Sequence, residues 1–224
     1  MENIIEVKSV SKEFGKGRDA RNRVLDGACM NVKRGEFVSL MGPSGTGKST
    51  LLYLIGGLDR EFTGDISVCG KSISKIKEKE LSDIRLNNIG FIFQFYNLVQ
   101  NLNVEDNILL PSLVAGKSRA QLKDQLDDIL RITGLTEKRK EYPSRLSGGQ
   151  QQRVAIARAV IGNPELLLAD EATGNLDKKS GDEIMELFRR INKEKGITIL
   201  QVTHSEECAA YGDRVVRLSN GKAQ

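Results

Sequence analysis

Cysteine is scarce in this sequence of 224 residues: Cys29, Cys69 and Cys208 are far apart, odd in number, and lack both a C-x-x-C pair and a neighbouring histidine. That spacing excludes a disulfide framework and a thiolate metal site, so the thiols read as reduced groups packed as small apolar side chains. No apolar run approaches the ~18 residues that a membrane-spanning helix requires. The opening Met1-Glu2-Asn3 lacks the basic-then-apolar order of a secretion signal, and the expectation is a chain that stays in the cytosol. An excess of one charge is missing too: 34 Lys and Arg face 30 Asp and Glu, and a net of +4 does not by itself imply nucleic acid. There is no Pro- or Ser-rich tract and no evident internal repeat.

What is present is a globular composition, 39% hydrophobic and 29% charged, long enough to bury a core without staples. Length alone allows one large domain or two small ones. Residues 4–10, 36–41, 64–69 and 89–93 read as strands. Ser118 to Gln121 forms a capping box opening a helix with Leu122, Leu126, Ile129 and Leu130 on one face. A further helix starts near Gly149 or Gln150 and ends before Asn163-Pro164, since proline disfavours helix in the residue before it. The run 166–169 reads as a buried strand, while Ile184, Leu187, Phe188 and Ile191 mark an amphipathic helix that Gly196 stops. Strands at 197–202 and 214–218 complete an alternation that argues for an α/β fold with a largely parallel sheet.

The 22 glycines carry the chemistry. Gly42-Pro43-Ser44-Gly45-Thr46-Gly47-Lys48-Ser49 fits the phosphate-loop pattern G-x-x-x-x-G-K-[ST], between a strand and a helix as the pattern requires. Glycines let successive N–H groups turn inward around a phosphate, and the helix N-terminus adds its positive dipole end. Lys48 would reach the β- and γ-phosphates of ATP and the Ser49 hydroxyl would hold Mg²⁺, with Thr50 in the same nucleotide-binding stretch. Asp170, at the end of the apolar strand, would position Mg²⁺, and Glu171 beside it is suited to polarise an attacking water. Ser147-Gly148-Gly149-Gln150 opens the second helix, and the residues alone allow two readings there, an anion site or a plain serine N-cap.

Together these motifs resemble the ATP-binding subunit of ATP-binding cassette (ABC) transporters, over essentially the whole chain and in the family's order. Leu146 to Gln150 matches that family's signature, Phe93-Gln94 its glutamine loop, Asn175-Leu176-Asp177 its D-loop and Thr203-His204 its histidine switch. The resemblance implies a phosphate-loop NTPase cassette spanning 1–224 as one domain, with a mainly parallel core, an N-terminal antiparallel β subdomain and a helical subdomain inserted at about 97–160. It implies a homodimer on ATP binding, in which Ser147, Gly148 and Gly149 of one copy, with Gln150, close over the γ-phosphate held by Lys48 of the other. His204, the only histidine, would address the γ-phosphate or the attacking water, and Gln94 would touch water and Mg²⁺ and link the site to a membrane subunit. Phe14 stands where the family places an aromatic that stacks on adenine, although the same side chain could simply pack a loop. Ala172 replaces the family's usual proline, which frees φ and restores a backbone donor, so the loop after Glu171 is expected to be less rigid.

The basic segment 16–23, the stretch 90–98 and the stretch 171–177 resemble the lipoprotein-release, macrolide-efflux and antimicrobial-peptide-resistance branch. That branch implies an integral membrane permease subunit as partner, peripheral placement on the cytoplasmic face of the membrane through that permease, a lipid, peptide or drug substrate, and no nucleic acid. The basic segment could meet anionic headgroups or stay solvated. An alternative is a soluble ABC-type ATPase acting on DNA or chromosomes. Against it, only 98 positions (146 − 48) separate Lys48 from Leu146, with no sustained heptad between them. A small-molecule kinase would leave the signature and His204 without a role.

Overall fold

The computed structural model describes residues 2–15 and 22–223. Most of the basic segment, including Arg18 and Arg21, therefore lies outside the described residues; Arg23 is described, and pairs with Glu13 and Asp26. In chain order the elements are β1 (Asn3–Phe14), β2 (Asn22–Lys33), β3 (Phe37–Met41), α1 (Lys48–Ile55), β4 (Thr63–Val68), β5 (Lys71–Ser72), α2 (Glu78–Asn88), β6 (Ile89–Ile92), α3 (Val104–Val114), α4 (Arg119–Thr133), α5 (Gly148–Val160), β7 (Leu166–Asp170), α6 (Lys178–Lys195), β8 (Thr198–Thr203), α7 (Glu206–Ala209), β9 (Arg214–Ser219) and β10 (Lys222–Ala223). One sheet runs β10-β9-β3-β8-β7-β6 and is parallel from β9 to β6, with β10 folded back antiparallel. The other, β2-β1-β4-β5, is antiparallel throughout.

Strands β3, β7 and β8 are buried on both faces because layers cover both sides, while β9 exposes its alternate residues. In β7, where every residue is buried, Leu166 and Leu168 join the core beneath α1 and the antiparallel sheet. Leu167 and Ala169 point the other way, into the core shared with α3 to α6. Each fully buried leucine contributes roughly 1.5–3 kcal/mol, so these alternate positions anchor the end of β7 from two sides. The helix at α4 has the expected capping box at Ser118 and Gln121, buries the expected Leu122, Leu126, Ile129 and Leu130, and stops at Gly134 in the left-handed conformation (φ 67°).

Two elements have weak local signals. In β2, Gly27 (φ 68°) interrupts the alternation, and shifts in its pairing with β1 turn Ala28, Met30 and Val32 inward. In α2 only Leu81 and Ile84 are buried, too few for a clear apolar stripe.

The helical region is tied together by polar groups with no motif. Asn107 is fully buried; its Oδ1 accepts from the Val99 N–H, and its Nδ2 donates to the Val99, Leu102 and Asn103 carbonyls. Glu105 accepts from Arg139 Nε at 2.6 Å and Lys140 Nζ at 2.9 Å, joining α3 to the segment after α4. Burial pushes the Glu105 carboxyl up, but Arg139 and Lys140 outweigh it and hold the carboxyl below the usual carboxylate range. A depressed folded-state value stabilises above the unfolded value, near pH ~4.3, and the gain disappears as pH falls through the folded value. Glu105→Gln is therefore expected to cost about 1–2 kcal/mol at pH 7, between exposed and buried pairs because Glu105 is buried while Arg139 is partly and Lys140 largely solvated. Thermal denaturation at pH 7 and pH 3 should show the gap from wild type shrinking at the lower pH; an equal gap at both would contradict the pairing.

Candidate active site

The site sits at the carboxyl ends of adjacent parallel strands, the position where open α/β sheets take ligands. In register, Met41 of β3 pairs with Thr203 of β8, and Asp170 of β7 pairs with Val202 of β8. The chain leaves these three strands as the phosphate loop, Glu171 and His204, so three segments distant in sequence emerge side by side.

The loop from Gly42 to Gly47 needs its glycines for conformation and for clearance. Gly45 (φ 79°) and Gly47 (φ 96°) adopt the left-handed region that side chains resist. A Cβ on Gly47 would lie 2.7 Å from Val24 Cγ1 and 2.9 Å from the Val24 carbonyl oxygen, and one on Gly42 would lie 2.3 Å from the Leu218 carbonyl oxygen. Thus β2 and β9 press on the back of the loop, while Pro43, Ser44 and Gly45 are exposed at its front. Thr46 Oγ1 donates to the Pro43 carbonyl at 2.9 Å and steadies the turn. Gly47 caps α1 without a side-chain bond, leaving the first-turn N–H groups to an anion. Lys48 is only 6% exposed, and its Nζ donates to the Gly42 and Pro43 carbonyls, each at 2.8 Å. Ser49 and Thr50 follow in the first turn of α1.

From that turn Ser49 Oγ donates to Asp170 Oδ1 at 2.8 Å. One turn further along, the Tyr53 hydroxyl donates to Asp170 Oδ2 at 2.7 Å. Burial, and then the Asp170 acceptor, push the Tyr53 phenol up to about 12, so it remains a donor at neutral pH. The Ser49 hydroxyl and the Asp170 carboxylate are hard oxygen donors in contact. Mg²⁺ is usually held by one or two such side chains together with phosphate oxygens and waters, and this pair fits it. Among the described residues no cluster of three or more His, Cys, Asp or Glu could hold a metal.

Glu171 is a non-glycine residue in the left-handed region (φ 46°), a placement that costs energy and commonly marks functional sites. Its N–H donates to the Val202 carbonyl at 3.0 Å, its Oε1 lies 3.2 Å from His204 Nδ1, and its carbonyl accepts from Gly174 N–H at 2.9 Å. Both side chains line a cleft of about 320 Å³ with Gly174, Asp177, Thr203 and Cys208. Gln94 is tied to the loop after Glu171: its carbonyl accepts from Asn175 Nδ2 at 3.0 Å, and its Nε2 lies 3.5 Å from Asn175 Oδ1. Although Ala172 stands at the expected proline position, it is buried, and Leu176 N–H bonds the Thr173 carbonyl while Thr173 Oγ1 contacts Cys208 Sγ at 3.4 Å. The loop is held by these contacts instead of by a ring.

The remaining expected residues lie elsewhere. Ser147 caps α5, accepting from Gln150 N–H at 3.3 Å while Gln150 Oε1 accepts from Ser147 N–H at 2.9 Å. The neighbours of Gly148 and Gly149 are Tyr96, Leu176 and Ser180, none of them in the phosphate loop. Within one chain the signature and the phosphate loop are thus separate surfaces, and the N-cap reading holds without excluding an anion at the exposed helix start. Phe14 ends β1, is 45% exposed, and has the Lys12 ammonium 4.9 Å from its ring centroid. Lys12 is nearly buried and bonded to Asp59 at 2.7 Å. Neither Tyr53 nor Lys12 was singled out by any motif.

The family model described as "ABC transporter" matches residues 25–174. The lipoprotein-releasing system ATP-binding protein LolD of Geobacter metallireducens is 41% identical over 222 residues, 99% of this chain and 98% of that protein. The macrolide export ATP-binding/permease protein MacB of Mannheimia succiniciproducens is 42% identical over 98% of this chain, which spans only 34% of its length. Among solved structures, the dimeric post-hydrolysis state of the ATP-binding cassette MJ0796 bound to ADP and Pi superposes with a TM-score of 0.88 at 38% identity, covering 98% of this chain and 96% of that one.

Proposed function

The chain belongs to the ABC transporter family as an ATP-binding, ATP-hydrolysing subunit, and from that premise we propose that it couples ATP-driven pairing of two copies to a membrane permease that exports or extracts a lipid, peptide or drug. The observation that carries the site assignment is the strand register that brings Lys48, the Ser49–Asp170 pair and the Glu171–His204 pair to one edge of the sheet. Residues 42–50 bind the phosphates through backbone N–H groups, and Lys48 transfers its Nζ from two loop carbonyls to phosphate oxygens. Mg²⁺, held by Ser49 and Asp170, would supply neutralisation of charge on the β- and γ-phosphates. Glu171 orients and polarises the attacking water, and His204 Nδ1 faces Glu171, leaving Nε2 for the phosphate. Gln94, bonded to Asn175 in the loop after Glu171, would touch water and Mg²⁺, and the Phe14 ring offers its exposed face to adenine.

Because the atoms nearest Gly148 and Gly149 belong to Tyr96, Leu176 and Ser180 and not to the phosphate loop of their own chain, the role of Ser147, Gly148, Gly149 and Gln150 is read as requiring a second copy, and the dimeric state of the MJ0796 cassette supports that reading. A permease contact is supported by apolar side chains left in water: Phe95 is 69% and Val114 70% exposed. A cleft of about 300 Å³ lined by Phe91, Phe93, Pro111 and the exposed Leu86 adds a further apolar surface. No described helix is long and apolar enough to cross a membrane, so peripheral attachment through such a partner is the proposed placement. The domain is read as one cassette over 1–224 with the helical part at about 97–160.

The test is to express tagged Glu171→Gln chain in its host, solubilise membranes with ATP present and identify what copurifies. A stoichiometric integral membrane protein is expected. Recovery of DNA-bound or purely cytosolic partners would overturn the transport reading.

A further inference from the structure

Both oxygens of the Asp170 carboxylate are engaged by donors from one helix, Ser49 at Oδ1 and Tyr53 at Oδ2, four residues apart on α1. The phosphate-loop motif accounts for Ser49 alone. The Tyr53 ring is in turn packed against Phe93, with centroids 6.5 Å apart, and Phe93 stacks on Phe91 at 5.9 Å. Phe93 precedes Gln94, so the phenol is fixed between the metal-side carboxylate and the segment that leads to the glutamine.

We propose that Tyr53 is a positioning residue for the divalent cation: it pins Oδ2 of Asp170 so that Oδ1 stays turned toward Ser49, the other group that would hold the ion. The proposal rests on the ATPase site described above. The aspartate χ2 torsion is broad and nearly two-fold, so one bond leaves the carboxylate plane free to turn, and a second, charge-assisted bond from a rigid ring removes that freedom. The opposite effect, a donor that competes with the cation for Asp170, is disfavoured by the division of labour between the oxygens, since Tyr53 occupies the one that faces away from Ser49's bond.

Tyr53→Phe deletes the hydroxyl and keeps the ring against Phe93. ATP binding is measured by calorimetry over a range of Mg²⁺, and without metal. The Mg²⁺ concentration for half-maximal tightening is expected to rise about tenfold, the loss typical of one bond to a charged acceptor. Metal-free ATP affinity should stay within about twofold, and turnover at saturating Mg²⁺ should recover to within about threefold of wild type, on the same reasoning that only metal positioning is lost. Tyr53→Leu, lacking ring and hydroxyl, should shift the Mg²⁺ requirement at least as far. An unchanged or lowered Mg²⁺ requirement in Tyr53→Phe would overturn the positioning role, and so would an equal loss of metal-free binding. A wild-type chain whose ATP binding ignored Mg²⁺ would instead overturn the metal-site reading, and the role of Tyr53 with it.

Discussion

Glu171→Gln is expected to lower ATP turnover by at least ~10²-fold while leaving ATP affinity nearly unchanged, the signature of a group needed to move a proton rather than to bind. The backbone at position 171 supports this, because the left-handed φ of 46° is held by Val202 and Gly174 whatever the side chain, and glutamine fills the same volume. What changes is the acceptor: an amide cannot take the water's proton, and its contact with His204 loses the carboxylate charge. The geometry for pairing two copies remains, so ATP-bound dimers should accumulate. Phosphate release and light scattering at saturating ATP measure the two effects. Turnover equal to wild type would remove Glu171 from the mechanism, whereas monomer alone at saturating ATP would argue against pairing through the bound nucleotide.

Lys48→Ala should have the second large effect, acting on binding and turnover together. Lys48 is nearly buried, and its Nζ donates to the Gly42 and Pro43 carbonyls, which hold the ammonium at the mouth of the loop. Without it, the phosphate loop offers the β- and γ-phosphates only neutral N–H groups, and charge-assisted bonds are roughly twice as strong as neutral ones. ATP affinity is expected to fall about 10- to 100-fold and turnover by ~10³-fold or more, as for other cationic groups that stabilise a transferring phosphoryl. Calorimetric titration with ATP and a phosphate-release assay check both; an affinity within twofold of wild type would show that the loop backbone alone carries the nucleotide.

These two residues were legible in the sequence because each sits in a contiguous motif whose spacing is set by local backbone geometry. Lys48 follows Gly47, which must be glycine to reach φ 96° beneath Val24. Asp170 and Glu171 end an apolar strand, and strand ends are where a parallel sheet presents functional groups. Tyr53, Lys12 and Glu105 were not legible, since each works through a partner that local spacing does not identify. Tyr53 meets Asp170 across 117 positions, and Glu105 meets Arg139 across 34. The strand β2 was hidden in part because its alternation of buried Ala28, Met30 and Val32 is broken from Leu25 at Gly27, where the pairing with β1 shifts register.

By itself, then, the sequence determined the alternation of strands and helices, the loop that can cradle a phosphate, and the helix starts at Ser118 and Ser147, because these depend on interactions within a few residues. Tertiary structure alone decided that β8 lies between β3 and β7, that Gln94 is bonded to Asn175 across 81 positions, and that Gly148 and Gly149 of the signature pack on Tyr96, Leu176 and Ser180 and not on their own phosphate loop. The physical reason is that strand order and docking are fixed by burying two apolar faces at once, a condition on the whole chain that local spacing does not carry.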